Sequence, residues 1–213
     1  MLHLSKSKAS LNAKKIVAGL SAVVLAGAAY AHPGALADTH VHATHLDGLL
    51  AGFMHPLTGL DHLAAMLAVG FWSALTARRS SAVMLAPLAF AAMLLLGAVL
   101  GMVGWSVSMV EPVIAASVLV LGLLVLGRTH ITASVAVSLV GAFALFHGLA
   151  HGAELAAMAS SSFALAGMVL ATLVLHLVGV VAGRSLRYQN VWKTRALGLG
   201  LAGFGAQLLL AVA

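Results

Sequence analysis

The sequence predicts an all-α, polytopic membrane protein: six transmembrane helices after a cleaved signal peptide, with a short re-entrant or broken segment before the first helix. Composition is the first reason. Of 213 residues, 62% are hydrophobic and only 8% charged, with a mean hydropathy of +1.09, a balance that the surface of a water-soluble globule does not tolerate. The second is that apolar runs recur at close to the ~20 residues needed to cross a hydrocarbon core about 30 Å thick. The third is that basic residues keep to alternate connections between those runs, as cytoplasmic loops do.

The chain falls into three regions. Residues 1–31 read as a secretory signal, with Lys6, Lys8, Lys14 and Lys15 ahead of an apolar run from Ile16 to Ala28 and then Ala29-Tyr30-Ala31 at a small-x-small cleavage site. The competing reading is an uncleaved anchor helix. Cleavage would leave His32 as the amino terminus, outside the cytoplasm. Residues 32–57 are a histidine-rich periplasmic stretch followed by a short apolar segment. His32, His40, His42 and His45 are interleaved with Asp38 and Asp47; the stretch is either a solvated tail or a weak collector of divalent metal. The apolar piece Leu46 to Met54 is too short to span. Pro56 is expected to hold His55 out of the helical region, and Thr58 with Asp61 reads as a helix cap and its capping-box carboxylate.

Residues 58–213 form the transmembrane domain. Its spans run Thr58 to Thr76, Val83 to Trp105, Pro112 to Gly127, Ile131 to His151, Phe163 to Gly183 and Arg195 to Ala213. The third is short and is expected to recruit its flanks, with Glu111-Pro112 as a helix start. Apart from the four signal-peptide lysines, all cations (Arg78, Arg79, Arg128, Arg184, Arg187, Lys193 and Arg195) lie in the first, third and fifth connections. Both mature termini are therefore expected outside. The formal charge of +6 leaves no basic patch once the signal lysines are set aside, so nucleic acid is not an expected partner; lipid is. Gly97 with Gly101, and Gly198 with Gly200 and Gly203, suit close helix packing.

Ionisable groups in such a chain are costly and suggest function. His55, Asp61 and His62 stand at the mouth of the first span, and His147, His151 and Glu154 at the end of the fourth. On a helix the latter three fall within an arc of about 60°, yet extend about 10 Å along the axis, so one ion can take an adjacent pair but not all three. The other ligands must come from elsewhere, and the first trio lies at the same depth. Singly, each group has a plain alternative: a cap for Asp61, an interhelical hydrogen bond for a histidine. Together they suggest a metal site. Cysteine is absent, so ligands are nitrogen and oxygen, a set suited to nickel, cobalt, zinc or copper(II) rather than magnesium or calcium. His176 is either a packed residue or a station further along a metal path, with Thr172 and Ser138 as further path candidates. His130 reads as a loop residue, and Met66, Met93 and Met102 as packing.

His-Pro-x-x-Gly-x-Asp-His at 55–62, its Ala-Met-x-Ala-Val-Gly continuation at 65–70, and Phe-His-Gly-x-Ala-His-Gly-x-Glu at 146–154 resemble the HupE/UreJ family of bacterial nickel and cobalt permeases. The resemblance covers nearly the whole chain, including the mature start His32-Pro33-Gly34. It implies inward transport of Ni²⁺, with Co²⁺ as a second cargo, across the inner membrane, commonly to supply hydrogenase or urease. It places His55, Asp61, His62, His147, His151 and Glu154 at the motif positions, and implies no resident cofactor and no enzymatic activity. From the residues alone the competing reading is an intramembrane hydrolase, with a His/Asp/Glu-bound zinc activating water. Neither a Gly-x-Ser-x-Gly nucleophile motif nor a nucleotide-binding loop is present.

Overall fold

Seven α-helices, one 3₁₀ turn at Ser80–Ala82 and no strand make up the described residues of the computed structural model, which are 44–158 and 160–213. The expected signal peptide (1–31) and His32, His40 and His42 lie outside them. The helices are α1 (His45–Thr58), α2 (Leu60–Thr76), α3 (Leu85–Met102), α4 (Val110–Gly127), α5 (Ala133–Leu155), α6 (Ser161–Leu186) and α7 (Val191–Val212). Five segments are long and apolar enough to cross a membrane: Ser80–Met102, which takes in α3, and α4 to α7. The 17-residue α2 is apolar but shorter.

The chain enters α1 through a capping box that the spacing Thr44-x-x-Asp47 specifies. The Thr44 hydroxyl accepts from the Asp47 N–H (3.2 Å), and the Asp47 carboxylate accepts from the Thr44 N–H (2.9 Å). The Thr44 hydroxyl, then the Thr44 N–H, hold the Asp47 carboxyl below its ordinary range.

Two local expectations fail here. Pro56 does not expel His55 from the helix: α1 runs through both to Thr58. Its first cost, a missing N–H, falls on a buried stripe of Gly48, Gly52 and Pro56 whose small residues let α1 lie against Ser160, Ala164 and Gly167 of the α6 region. Packing outweighs the local preference. Nor do Thr58 and Asp61 form a cap. The Thr58 hydroxyl donates back to the His55 carbonyl (2.7 Å), the Asp61 carboxylate accepts from its neighbour His62 N–H (2.8 Å), and the break is made by Gly59 in an extended conformation (φ −86°, ψ 110°).

The helices pair by direction. Gly48 and Gly52 of α1 meet Ser160 and Ala164, while Leu67 and Phe71 of α2 meet Gly179 and Gly183. Both helices therefore run parallel to α6, one after the other, and the chain does not reverse at Gly59. Gly97 and Gly101 of α3 pack against Leu145 and Leu149, and Gly148 and Gly152 of α5 against Leu94 and Ala98. This is a parallel crossing of two Gly-x-x-x-Gly faces, at which a methyl on Gly148 would lie 2.7 Å from the Ala98 nitrogen. Helices α4 and α7 are antiparallel, Gly122 beside Ala202 and Gly205 beside Leu119. Helix α4 begins at Val110, ahead of Pro112, so the short third span does recruit its N-terminal flank.

From Ala65 on, α2 is buried on nearly every side, sheathed by α3, α4 and α6. Its C-terminal end is tied to the α4–α5 connection by Trp72 Nε1–H donating to the Thr129 carbonyl (3.0 Å). Arg128, in the left-handed region at φ 48°, donates to the Arg187 carbonyl (2.9 Å). Connections α2–α3, α4–α5 and α6–α7, with the arginines they carry, thus share one end of the bundle. That end holds a cavity of about 370 Å³ lined by Trp72, Ser73, Thr76, Arg78, Arg79 and His130 among others. The histidine motifs lie at the other end.

Candidate metal centre

The break at Gly59 and the crossing of α3 with α5 bring the two motifs together. His55, in the last turn of α1, directs Nε2 at Nδ1 of His151 (2.8 Å) and at the Glu154 carboxylate (2.8 Å). His151 Nδ1 lies 3.6 Å from the same carboxylate oxygen. Among the described residues these three form a group whose ligand-type atoms all lie within 4.8 Å of one another. At most a proton or two can be shared among such converging lone pairs. A cation bound at about 2.1 Å has neighbouring ligands about 3 to 3.4 Å apart, close to the spacing seen.

The remaining motif residues extend the group inward rather than completing it. The His62 ring lies 4.1 Å from that of His151 and 5.1 Å from that of His147, centroid to centroid. Asp61 stands beside His62, its carboxylate 4.0 Å from Nδ1, and is not a member of the trio. The helical stripe divides as its length requires: His151 and Glu154 face His55, and His147 lies a turn deeper, with the His62 ring within reach of both His151 and His147. A methyl on Gly59 would lie 3.0 Å from the His62 ring, so the motif's glycine gives that ring its place as well as breaking the helix.

Burial rises along the series. The Glu154 side chain is 59% exposed and His55 25%, whereas His147, His151 and His176 are buried. Within that interior, His62 Nδ1 and the Nε2 atoms of His147, His151 and His176 have no hydrogen-bond partner. A buried, unpaired polar atom costs about 1–3 kcal/mol, so four in one region represent a deficit that packing does not explain. An ion stabilised by imidazole nitrogen would offset it. His147 Nδ1–H donates to the Phe143 carbonyl (2.9 Å), which fixes the tautomer and leaves the Nε2 lone pair bare, the arrangement typical of a ligating histidine.

Of the other expected residues, Thr172 is buried, but its hydroxyl is committed to the Met168 carbonyl (2.9 Å). Ser138 is exposed on the outer surface of α5 and does not line a path through the interior. His130 borders the cavity at the opposite end. His45 stacks on Phe163 at 4.2 Å. Phe90 escaped the sequence reading: one aromatic in an apolar helix carries no signal, yet its ring meets both His147 (5.5 Å) and His176 (5.0 Å).

The family described as HupE / UreJ protein matches residues 20–208. Protein HupE of Rhizobium leguminosarum bv. viciae is 41% identical over 198 residues, 92% of this chain and 97% of that protein. No solved structure matches. Both histidine motifs fall inside the matched span, which takes in nearly the whole chain, and the chain belongs to the HupE/UreJ family.

Proposed function

We propose that the protein is a secondary transporter that carries Ni²⁺, with Co²⁺ as a second cargo, inward across the inner membrane. The ion enters at a His/Glu site at the periplasmic end. The observation that carries this reading is the series of buried, unpaired imidazole nitrogens that begins at the Glu154–His55–His151 group, open to the surface through Glu154, and continues inward through His62 to His147. A hydrolase needs one open coordination position, and a file of ligands leading away from the surface adds nothing to it. A transporter needs successive sites of modest affinity. Membership of the HupE/UreJ family supports nickel in particular.

In this reading α2, with α1 in line before it, serves as the first of six spans, and the arginine-bearing end faces the cytoplasm. Glu154 and His55 draw the divalent ion from water, the carboxylate supplying charge and the imidazole a nitrogen suited to nickel. The ion is itself the substrate, and no resident cofactor takes part. Nickel, cobalt and zinc uptake should be compared in cells with and without the full chain. Nickel accumulation that depends on the chain and is lost in Glu154→Gln is the expected result; equal accumulation in both cells would refute the reading.

A further inference from the structure

We propose that His176 is a second, deeper binding station for the transported ion, set apart from the outer histidines by the ring of Phe90. This inference rests on the permease reading.

His176 and His147 share an arrangement from different helices. In each, Nδ1–H donates to a backbone carbonyl, Phe143 for His147 (2.9 Å) and Met66 for His176 (2.7 Å). In each, Nε2 is buried and unpartnered. The carbonyl bond fixes the Nδ1–H tautomer, so each ring holds a free lone pair at Nε2, as metal-binding histidines do. Both rings meet the edge or face of Phe90, at 5.5 Å and 5.0 Å between centroids, and Phe90 is itself fully buried.

The position is that of an intermediate stop. His62 and Met66 are one turn apart on α2, about 6 Å along its axis, so the bond to Met66 sets His176 a turn inward of the outer group. Trp72, at the edge of the inner cavity, is about 9 Å further along the same helix. The nearest polar side chain on its own helix face, Thr172, is committed to Met168, so the station offers one imidazole. A site with one strong ligand holds an ion weakly, which suits a stop that the ion must leave. The Phe90 ring, lacking a ligand atom, separates it from His147.

His176→Asn is the informative variant, because an Asn amide N–H can stand near the imidazole Nδ1–H and keep the bond to Met66 while the Nε2 ligand is lost. In cells producing the full chain, maximal nickel uptake should fall about tenfold or more, as loss of a metal partner does. Equilibrium binding of Ni²⁺ to the purified chain, governed by the outer group, should stay within about twofold, as expected of separate sites. Wild-type uptake by this variant overturns the proposal. So does a parallel loss of uptake and outer-site binding, which would mark a purely structural histidine. The unsubstituted chain supplies a second test: labelled at histidine nitrogens and titrated with Zn²⁺, its His176 Nε2 resonance, identified through contacts with Phe90 and Met66, should move after the outer rings have saturated. A resonance that never moves overturns the station. Absence of nickel uptake by the wild-type chain would instead fell the permease reading, and the zinc titration still reports on His176.

Discussion

Six motif residues have unequal positions, and their substitutions should have unequal effects. His151 supplies Nδ1 to the trio with His55 and Glu154, whereas Asp61 reaches the neighbourhood only through His62. His151→Ala should therefore weaken Ni²⁺ binding to the purified protein by more than about a hundredfold, and Asp61→Asn by about tenfold or less, because its carboxylate bonds the His62 backbone N–H and not the ring. Calorimetric titration ranks the two directly. If Asp61→Asn proves the more damaging, the ion sits at Asp61 and His62 and the trio is only its approach. The separation of His147 from the pair of His151 and Glu154 could be read from helical geometry, since 1.5 Å per residue keeps three such side chains from one ion. The sequence offered His55, Asp61 and His62 together as the missing partners; that His55 is the one that joins the trio could not be read, because its place depends on α1 continuing through Pro56.

At the level of elements, Gly97, Gly101 and Gly198 were visible as packing positions, though their partners were not, whereas Gly200 and Gly203, read the same way, have nothing within 4 Å of an added methyl and are not packing positions. Gly148 and Gly152 belong to the same motif as His147 and His151, and they seat α5 against Gly97, Ala98 and Gly101 of α3. A methyl on Gly152 would meet the Ala98 backbone, its carbonyl carbon at 2.8 Å. Gly203, on α7, has nothing within 4 Å of such a methyl. Gly152→Ala should cost about 1–3 kcal/mol through overpacking, lowering the midpoint of thermal unfolding in detergent by several degrees at about 2–4 °C per kcal/mol. Gly203→Ala should leave it unchanged or slightly raised. Equal midpoints for both would show that the α3–α5 crossing tolerates separation. Sequence periodicity located these helices well because a continuous apolar run is a strong signal. It failed at 55–61, where Pro56 and Thr58 follow tertiary packing rather than their local preferences, and it passed over the Thr44–Asp47 capping box that does start α1.

For the whole molecule, the distribution of charge and the distribution of chemistry are opposed, and that opposition can be tested. The bond from Arg128 to the Arg187 carbonyl and that from Trp72 to the Thr129 carbonyl hold the arginine-bearing connections at one end. His55 and Glu154 meet at the other. If cations stay on the cytoplasmic side, the entrance group faces out, where an imported ion would first meet it. The chain contains no cysteine, so single substitutions report side without background. Ser80 lies in the 3₁₀ turn after α2 and Ser108 between α3 and α4, and both are exposed. In intact spheroplasts a membrane-impermeant maleimide should label Ser108→Cys and spare Ser80→Cys, and permeabilisation should make the two equal. The reverse pattern would put Glu154 and His55 on the cytoplasmic face. The same ladder of imidazoles would then begin inside the cell, and the direction of transport would have to be turned from import to export.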